Sequence, residues 1–325
     1  MDILTEAMGN TRLGDGPEAL EQLLFRPQAD SGIVETVLDN IPRYLFRVAS
    51  PRSDGNMNEI WVRSESAHWN KSSSTEDIFS NLDSKKRAKI ARTLDLHLRW
   101  WPKGTYEDNF VSWTSSLLFT IQHIYYRHLS PRDGSCLAEI KLYVIDTIQF
   151  PRGTFIRDLD LIDAFCESDE SLNDFRSLRN RPGYYFGEYL SQGSLKIENK
   201  CQMIPAEIIF KQNRLRCIQP EFAELHRDAR GEKTAWVKEV NRLRDTIWPD
   251  TNLPIYSAAE MRSRLESVEE VIQNVASGWR FPIAIYFVAL IGSESSIEEQ
   301  ETANDNLFLA YFRSASFHSA SSRIL

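Results

Sequence analysis

The chain has 325 residues, 42% hydrophobic and 26% charged, with eight Trp, eleven Tyr and seventeen Phe, the composition of a globular protein with a large core and room for two structural units. A formal net charge of −8 argues against a non-specific nucleic-acid surface, and Cys136, Cys166, Cys201 and Cys217 lack the spacing of a zinc site or a disulfide frame. The longest apolar run, 281–291, falls well short of the roughly 20 residues of a membrane span, and the start of the chain has no apolar signal segment, so an intracellular, cytoplasmic protein is expected.

Residues 1–40 read as a lead-in with short helices over 17–24 and 33–38. The aromatic and β-branched run 43–48 predicts a strand, stopped by turn chemistry over 49–55. Segment 64–77 reads as an exposed loop, and 85–99 as a helix that ends near Trp100 ahead of Pro102. In 110–119 two apolar residues meet a Ser/Thr cluster and then an apolar run. That pattern predicts a strand turning into a helix, with Ser115 or Ser116 as N-cap. Segment 139–145 is apolar on both faces and suits an interior strand, while 159–165 and 172–178 read as short helices. An aromatic strand is expected over 184–190, a turn over 191–194, and an edge strand over 203–210 because of Pro205. Beyond Pro220 the pattern is helical. Trp236, Val240, Leu243 and Ile247 share a stripe, 258–276 forms a second helix, and 281–291 is a buried strand or short helix. The expected organisation is an α+β domain over 41–219, a helical extension over 220–292 and a partly disordered tail over 293–325.

Four features could carry chemistry. Arg47 lies in an apolar strand, where it either takes the solvent face with Arg43 and Leu45 or holds an anion through its planar fork of donors. Ser112 and Thr114 share one face of an extended segment and can cap a helix, hold a carboxylate or bind a ligand. Glu188 stands among Phe186, Tyr189 and Leu190, either as a surface residue or as a carboxylate placed where positive charge develops. His97 neighbours Trp100 and Trp101, where packing is the simpler role. His123 and His128 lack metal-ligand spacing, and the chain has no GxSxG, P-loop or GxGxxG pattern.

The runs 43–55, 109–118, 145–151 and 184–193 resemble an uncharacterised domain family of filamentous fungi, over residues 40–215. The order of motifs is also similar to that of the mono-ADP-ribosyltransferases of the cholera and heat-labile enterotoxin A-chain type. Leu45-Phe46-Arg47 is followed by Ser50-Pro51-Arg52, then His97, then Val111-Ser112-Trp113-Thr114 opening into a helix, and last Phe186-Gly187-Glu188 before a small-residue turn. Two positions depart from the family. Trp113 interrupts the Ser-Thr-Ser motif, and Phe186 replaces the first glutamate of Glu-x-Glu, which in the family supports transfer to arginine.

The resemblance implies an α+β fold with a split mixed β core and flanking helices, and NAD as substrate. It implies that Arg47 holds the NAD phosphates or ribose, that Ser112 fixes a catalytic Glu188 on the nicotinamide ribose hydroxyl, and that Thr114 supports the fold around nicotinamide. His97, Trp113 and Tyr184 would complete the cofactor surroundings. The implied reaction is mono-ADP-ribosyl transfer to a protein acceptor or NAD hydrolysis, in an active or degenerate site. The alternative is a non-enzymatic interaction or regulatory domain on the same fold.

Overall fold

The computed structural model describes residues 21–29, 31–101, 107–223, 236–249 and 254–292. The chain is α+β. It opens with strands β1 (Gln22–Leu23), β2 (Tyr44–Ala49), β3 (Asn56–Met57) and β4 (Trp61–Arg63), then helices α1 (Glu65–His68) and α2 (Ser84–Leu98). Strand β5 (Phe110–Thr114) leads into α3 (Leu117–Leu129), and β6 (Lys141–Asp146) is followed by β7 (Ile156–Arg157), α4 (Asp158–Phe165) and α5 (Glu170–Arg179). Then come β8 (Glu188–Lys196), β9 (Cys201–Pro205), α6 (Ala206–Phe210) and α7 (Arg214–Ile218). The helices α8 (Trp236–Ile247), α9 (Ala258–Ile272) and α10 (Ser277–Ala289) complete the described chain. Among the described residues no helix is long and apolar enough to cross a membrane.

The strands form one sheet in the order β3-β4-β8-β5-β2-β6-β9, with β1 and β7 also on β8. Every pairing is antiparallel, so the mixed core expected from the resemblance gives way to an antiparallel one. Strands β2 and β6 pair along their whole length, but β2 and β5 share a single register position, Phe46 opposite Thr114. Beyond that position the ladder between them stops, which splits the sheet. Three apolar clusters cover it. Phe46, Val48, Leu142 and Val144 pack with α3 and with α8–α10. Leu45, Val111, Trp113 and Tyr143 pack with Phe150 and Phe155, and Phe110 and Leu190 pack under α2, α4 and α5. The C-terminal helices thus share a core with the sheet.

Several sequence expectations change. Segment 64–77 is exposed at 69–72 and 75–76 but is not a loop throughout. The Ser64 hydroxyl caps α1 by accepting from Ala67 N–H at 3.1 Å, and the buried Asp77 carboxylate accepts from Arg26 N–H and Gln192 Nε2. The expected turn at 191–194 lies inside β8, because the buried Gln192 amide also accepts from Ile78 N–H and Gly193 takes a left-handed φ of +64° within the strand. The aromatic stretch before it is largely not strand: Tyr184 closes a 3-10 turn (Pro182–Tyr184), and β8 starts at Glu188. Residues 22–23 form a strand rather than part of a helix, Ala206–Phe210 is helical, and 281–291 falls largely within α10. The expected helix at 17–24 lies partly outside the described residues, and the tail 293–325 wholly so.

Candidate functional site

The split between β2 and β5 opens onto a cavity of about 240 Å³ that Arg47, His97, Ser112, Thr114 and Glu188 all line. Local sequence explains how each side chain arrives. Alternation along β5 turns Ser112 and Thr114 away from Val111 and Trp113, which enter the apolar core. Thr114 Oγ1 donates to the Phe186 carbonyl at 2.7 Å and accepts from Ser116 N–H at 3.0 Å, while Ser116 Oγ caps α3 through Phe119 N–H. Gly187 makes the turn into β8 with a φ of +66°, and a β-carbon there would run into the Ser115 side chain. Glu188 consequently begins β8 directly opposite Thr114.

A chain of polar contacts crosses the site. Asp108 Oδ2 lies 2.6 Å from His97 Nδ1, and His97 Nε2 lies 2.7 Å from Ser112 Oγ, which donates to Glu188 Oε1 at 2.7 Å. Ser112 thereby links the His97 imidazole to the Glu188 carboxylate. Glu188 Oε2 is paired with Arg179, whose Nε donates to Asp158 Oδ2 at 3.0 Å and whose Nη1 donates to the Tyr184 carbonyl at 3.0 Å. Burial, opposed by the Arg179 guanidinium and helped by the nearby Glu188 carboxylate, leaves the Asp158 carboxyl pushed up to about 7. Against the cost of burial, Asp158 and Glu188 hold Arg179 above its ordinary value.

The cavity lining also carries cations. Arg47 Nη1 donates to the Ser112 carbonyl at 2.7 Å, but its buried Nε has no partner among the described residues, nor has the buried Nε of Arg127. Burial lowers Arg47 to about 10 with help from the repulsion of Arg127, although Asp54, Asp108 and Glu188 oppose this. The group therefore still carries its charge at neutral pH. Burial, Arg127 and Arg47 hold His123 well below its ordinary value. Arg127 is steadied by Asp133 at 2.7 Å, which also accepts from Ser50 Oγ. This donor set suits an anion, because two guanidinium groups line the same cavity. Among the described residues no group of His, Cys, Asp or Glu could hold a metal ion.

Not every expected residue arrives. Arg47 is not on the solvent face; it fills the split in the sheet. The Trp113 side chain borders the cavity only from within the core: it is fully buried, sits edge-on to Phe155, and donates from Nε1 to Ser191 Oγ at 2.9 Å. It offers no face for stacking on a ligand. Tyr184 does not line the cavity and contributes its carbonyl to Arg179 instead. His97 is more than packing, since both ring nitrogens are engaged in the polar chain. Sequence reasoning missed Asp108, Asp158, Arg179 and Arg127. The usable signal for two of them was an Asp starting α4 and an Arg ending the neighbouring α5, a pair of opposite charges on short amphipathic helices.

No curated protein and no solved structure matches the chain. The segment that carries β2 through β8, and with it Arg47, His97, Ser112 and Glu188, does have a counterpart: residues 40–199 match the family model described as Domain of unknown function (DUF7587).

Proposed function

We propose that the cavity binds NAD and that Glu188 assists cleavage of the nicotinamide–ribose bond, on an ADP-ribosyltransferase-like fold. The observation that carries this reading is the meeting of Arg47, Ser112 and Glu188, from three different strands, around one cavity, with Ser112 donating to Glu188 and Arg47 holding the Ser112 carbonyl. A carboxylate fixed by Ser112 and Arg179 is preorganised for a neighbouring positive charge. The cations Arg47 and Arg127 suit the pyrophosphate. At about 240 Å³ the cavity is just under the roughly 300–1,000 Å³ of small-molecule sites, so it would enclose part of a dinucleotide and leave the rest at the mouth.

In the proposed reaction the C1′–N bond breaks with both electrons going to the nicotinamide nitrogen, which loses its positive charge. That charge passes to ribose C1′ and O4′, where Glu188 stabilises it. A nucleophile then adds to C1′ and gives up its proton. Phe186, which stands where the ADP-ribosyltransferases of similar motif order have their first glutamate, is buried and stacked on Phe119 with ring centroids 5.3 Å apart. No carboxylate at that position can take a proton from a guanidinium acceptor, so water or a different nucleophile is the favoured acceptor.

Calorimetric titration with NAD and an assay of nicotinamide release test the reading. Glu188→Gln should bind NAD but release nicotinamide ~10²–10³-fold more slowly, the scale of losing one preorganised charge-stabilising group. Folded wild-type protein that neither binds NAD nor releases nicotinamide would end the proposal. One observation favours a second reading, a non-enzymatic binding module: both Glu188 oxygens are already engaged, by Ser112 and by Arg179. Ligand or partner binding that survives Glu188→Gln, with no turnover in either protein, would select it.

A further inference from the structure

The cavity has an aromatic wall that the catalytic reading leaves unused. Trp100, Phe119, His123 and Tyr126 all line it. The Trp100 indole lies nearly parallel to the His123 imidazole, with centroids 4.8 Å apart and an interplanar angle of 14°. Tyr126 flanks it at 5.9 Å and Phe119 at 6.5 Å. Trp100 nevertheless keeps 38% of its surface exposed, an unusual state for a large aromatic ring inside a cluster of rings.

The backbone at Trp100 is equally informative. It has a φ of +55°, directly after α2, where its N–H donates to the His97 carbonyl at 3.1 Å and Trp101 N–H donates to Leu96 at 3.0 Å. A helix end of this kind calls for glycine or asparagine, and a tryptophan is held there against its own preference. Such strain persists where surrounding structure imposes it, and it concentrates at ligand sites. The same turn sets both His97, in the polar chain, and Trp100, in the aromatic wall. His123 packs as a neutral ring, because burial and the neighbouring Arg127 and Arg47 disfavour its charged form. The aromatic wall and the cationic wall therefore meet within one cavity.

We infer that Trp100, backed by His123, is the stacking platform for a planar heteroaromatic base, so that the cavity recognises a nucleotide by ring on one wall and phosphate on the other. This rests on the NAD reading above for its choice of ligand, but it makes a separate demand on a residue that takes no part in bond cleavage. The ring stacks on the part of the indole left open to solvent, and the anionic group faces the Arg47 and Arg127 guanidinium groups that line the same cavity. Base–aromatic stacking of this type tolerates different bases, since each has a π-face.

The test is a titration of the full chain with NAD, ADP-ribose, AMP and nicotinamide, read by calorimetry and by quenching of tryptophan fluorescence, for wild type, Trp100→Phe and Trp100→Gly. Trp100→Gly suits the left-handed backbone, so its melting temperature should not fall, while its affinity should fall ~10-fold or more, the scale of one lost stacking contact. Trp100→Phe should retain most of the affinity. Binding of ADP-ribose and AMP but not nicotinamide would assign the platform to adenine; the converse would assign it to nicotinamide. Wild-type binding of NAD that is unchanged within twofold in a folded Trp100→Gly protein overturns the platform and leaves the NAD reading standing. Binding of AMP but not NAD, with the same dependence on Trp100, keeps the platform and removes the NAD reading. A folded wild type that binds none of the probes overturns both.

Discussion

Arg179 and Leu243 are both buried, and they stabilise the chain by different means. Arg179 stands between Asp158 and Glu188, behind the cavity, and its worth depends on both partners. Leu243 lies in the layer where α8–α10 meet α3 and the sheet, among Ile121, Ile124, Val268 and Phe287, and its worth depends on volume alone. In the first region every charge was brought out of water for a partner, so removing one strands the others. In the second, removing a side chain leaves a hole and no unmet charge.

Arg179→Met should show the largest loss at pH 8, ~3–5 kcal/mol of unfolding free energy, because there it leaves the carboxylates of Glu188 and Asp158 without their cation. Adding Asp158→Asn should recover part of that loss, and denaturant unfolding of the single and double variants measures it. If the two substitutions simply add, the charged region is no more coupled than the apolar one. Leu243→Ala should cost about 3 kcal/mol, with the same cost at pH 5 and pH 8. A cost that changes with pH would show that the apolar layer is coupled to the charged one. The third effect is a slope. The native Asp158 carboxyl, pushed up to about 7, holds a proton that the unfolded carboxyl releases near pH ~4. Its contribution is complete below that lower value and is lost as the pH rises towards 7, at up to ~1.4 kcal/mol per pH unit. Asp158→Asn should flatten this part of the stability–pH curve, and an unchanged curve would remove Asp158 as its source.

The same contrast governs what could be read from the sequence. The apolar layer was legible, because Val240, Leu243 and Ile247 repeat at helical spacing and that period fixes a buried face. The β5–α3 junction was legible for a similar reason: its hydroxyls fall between an extended apolar run and a helical one. Arg47, His97, Ser112 and Glu188 could be named from their order, and they do meet at one cavity. Their partners could not. Asp108, Asp158 and Arg179 look like surface residues until the fold brings separate helices and strands together, since an ion pair between distant segments leaves no periodic trace. Turn chemistry misled at 191–194 because Gln192 and Gly193 serve long-range contacts, the first with Asp77 and Ile78 and the second with the backbone of Ser64 and Asn109, that override local preference.

Strands β2 and β5 meet at Phe46 and Thr114 and at no other position, and the carbonyl of Ser112 accepts from the Arg47 side chain. The guanidinium acts as a wedge in an unfinished hydrogen-bond ladder. The cavity is therefore a planned gap in a sheet rather than a groove between two bodies, and its aperture is set by the length of one side chain. Any group that competes for Arg47 also competes with the contact that keeps the two strands apart, which ties occupancy of the cavity to the geometry of the sheet itself.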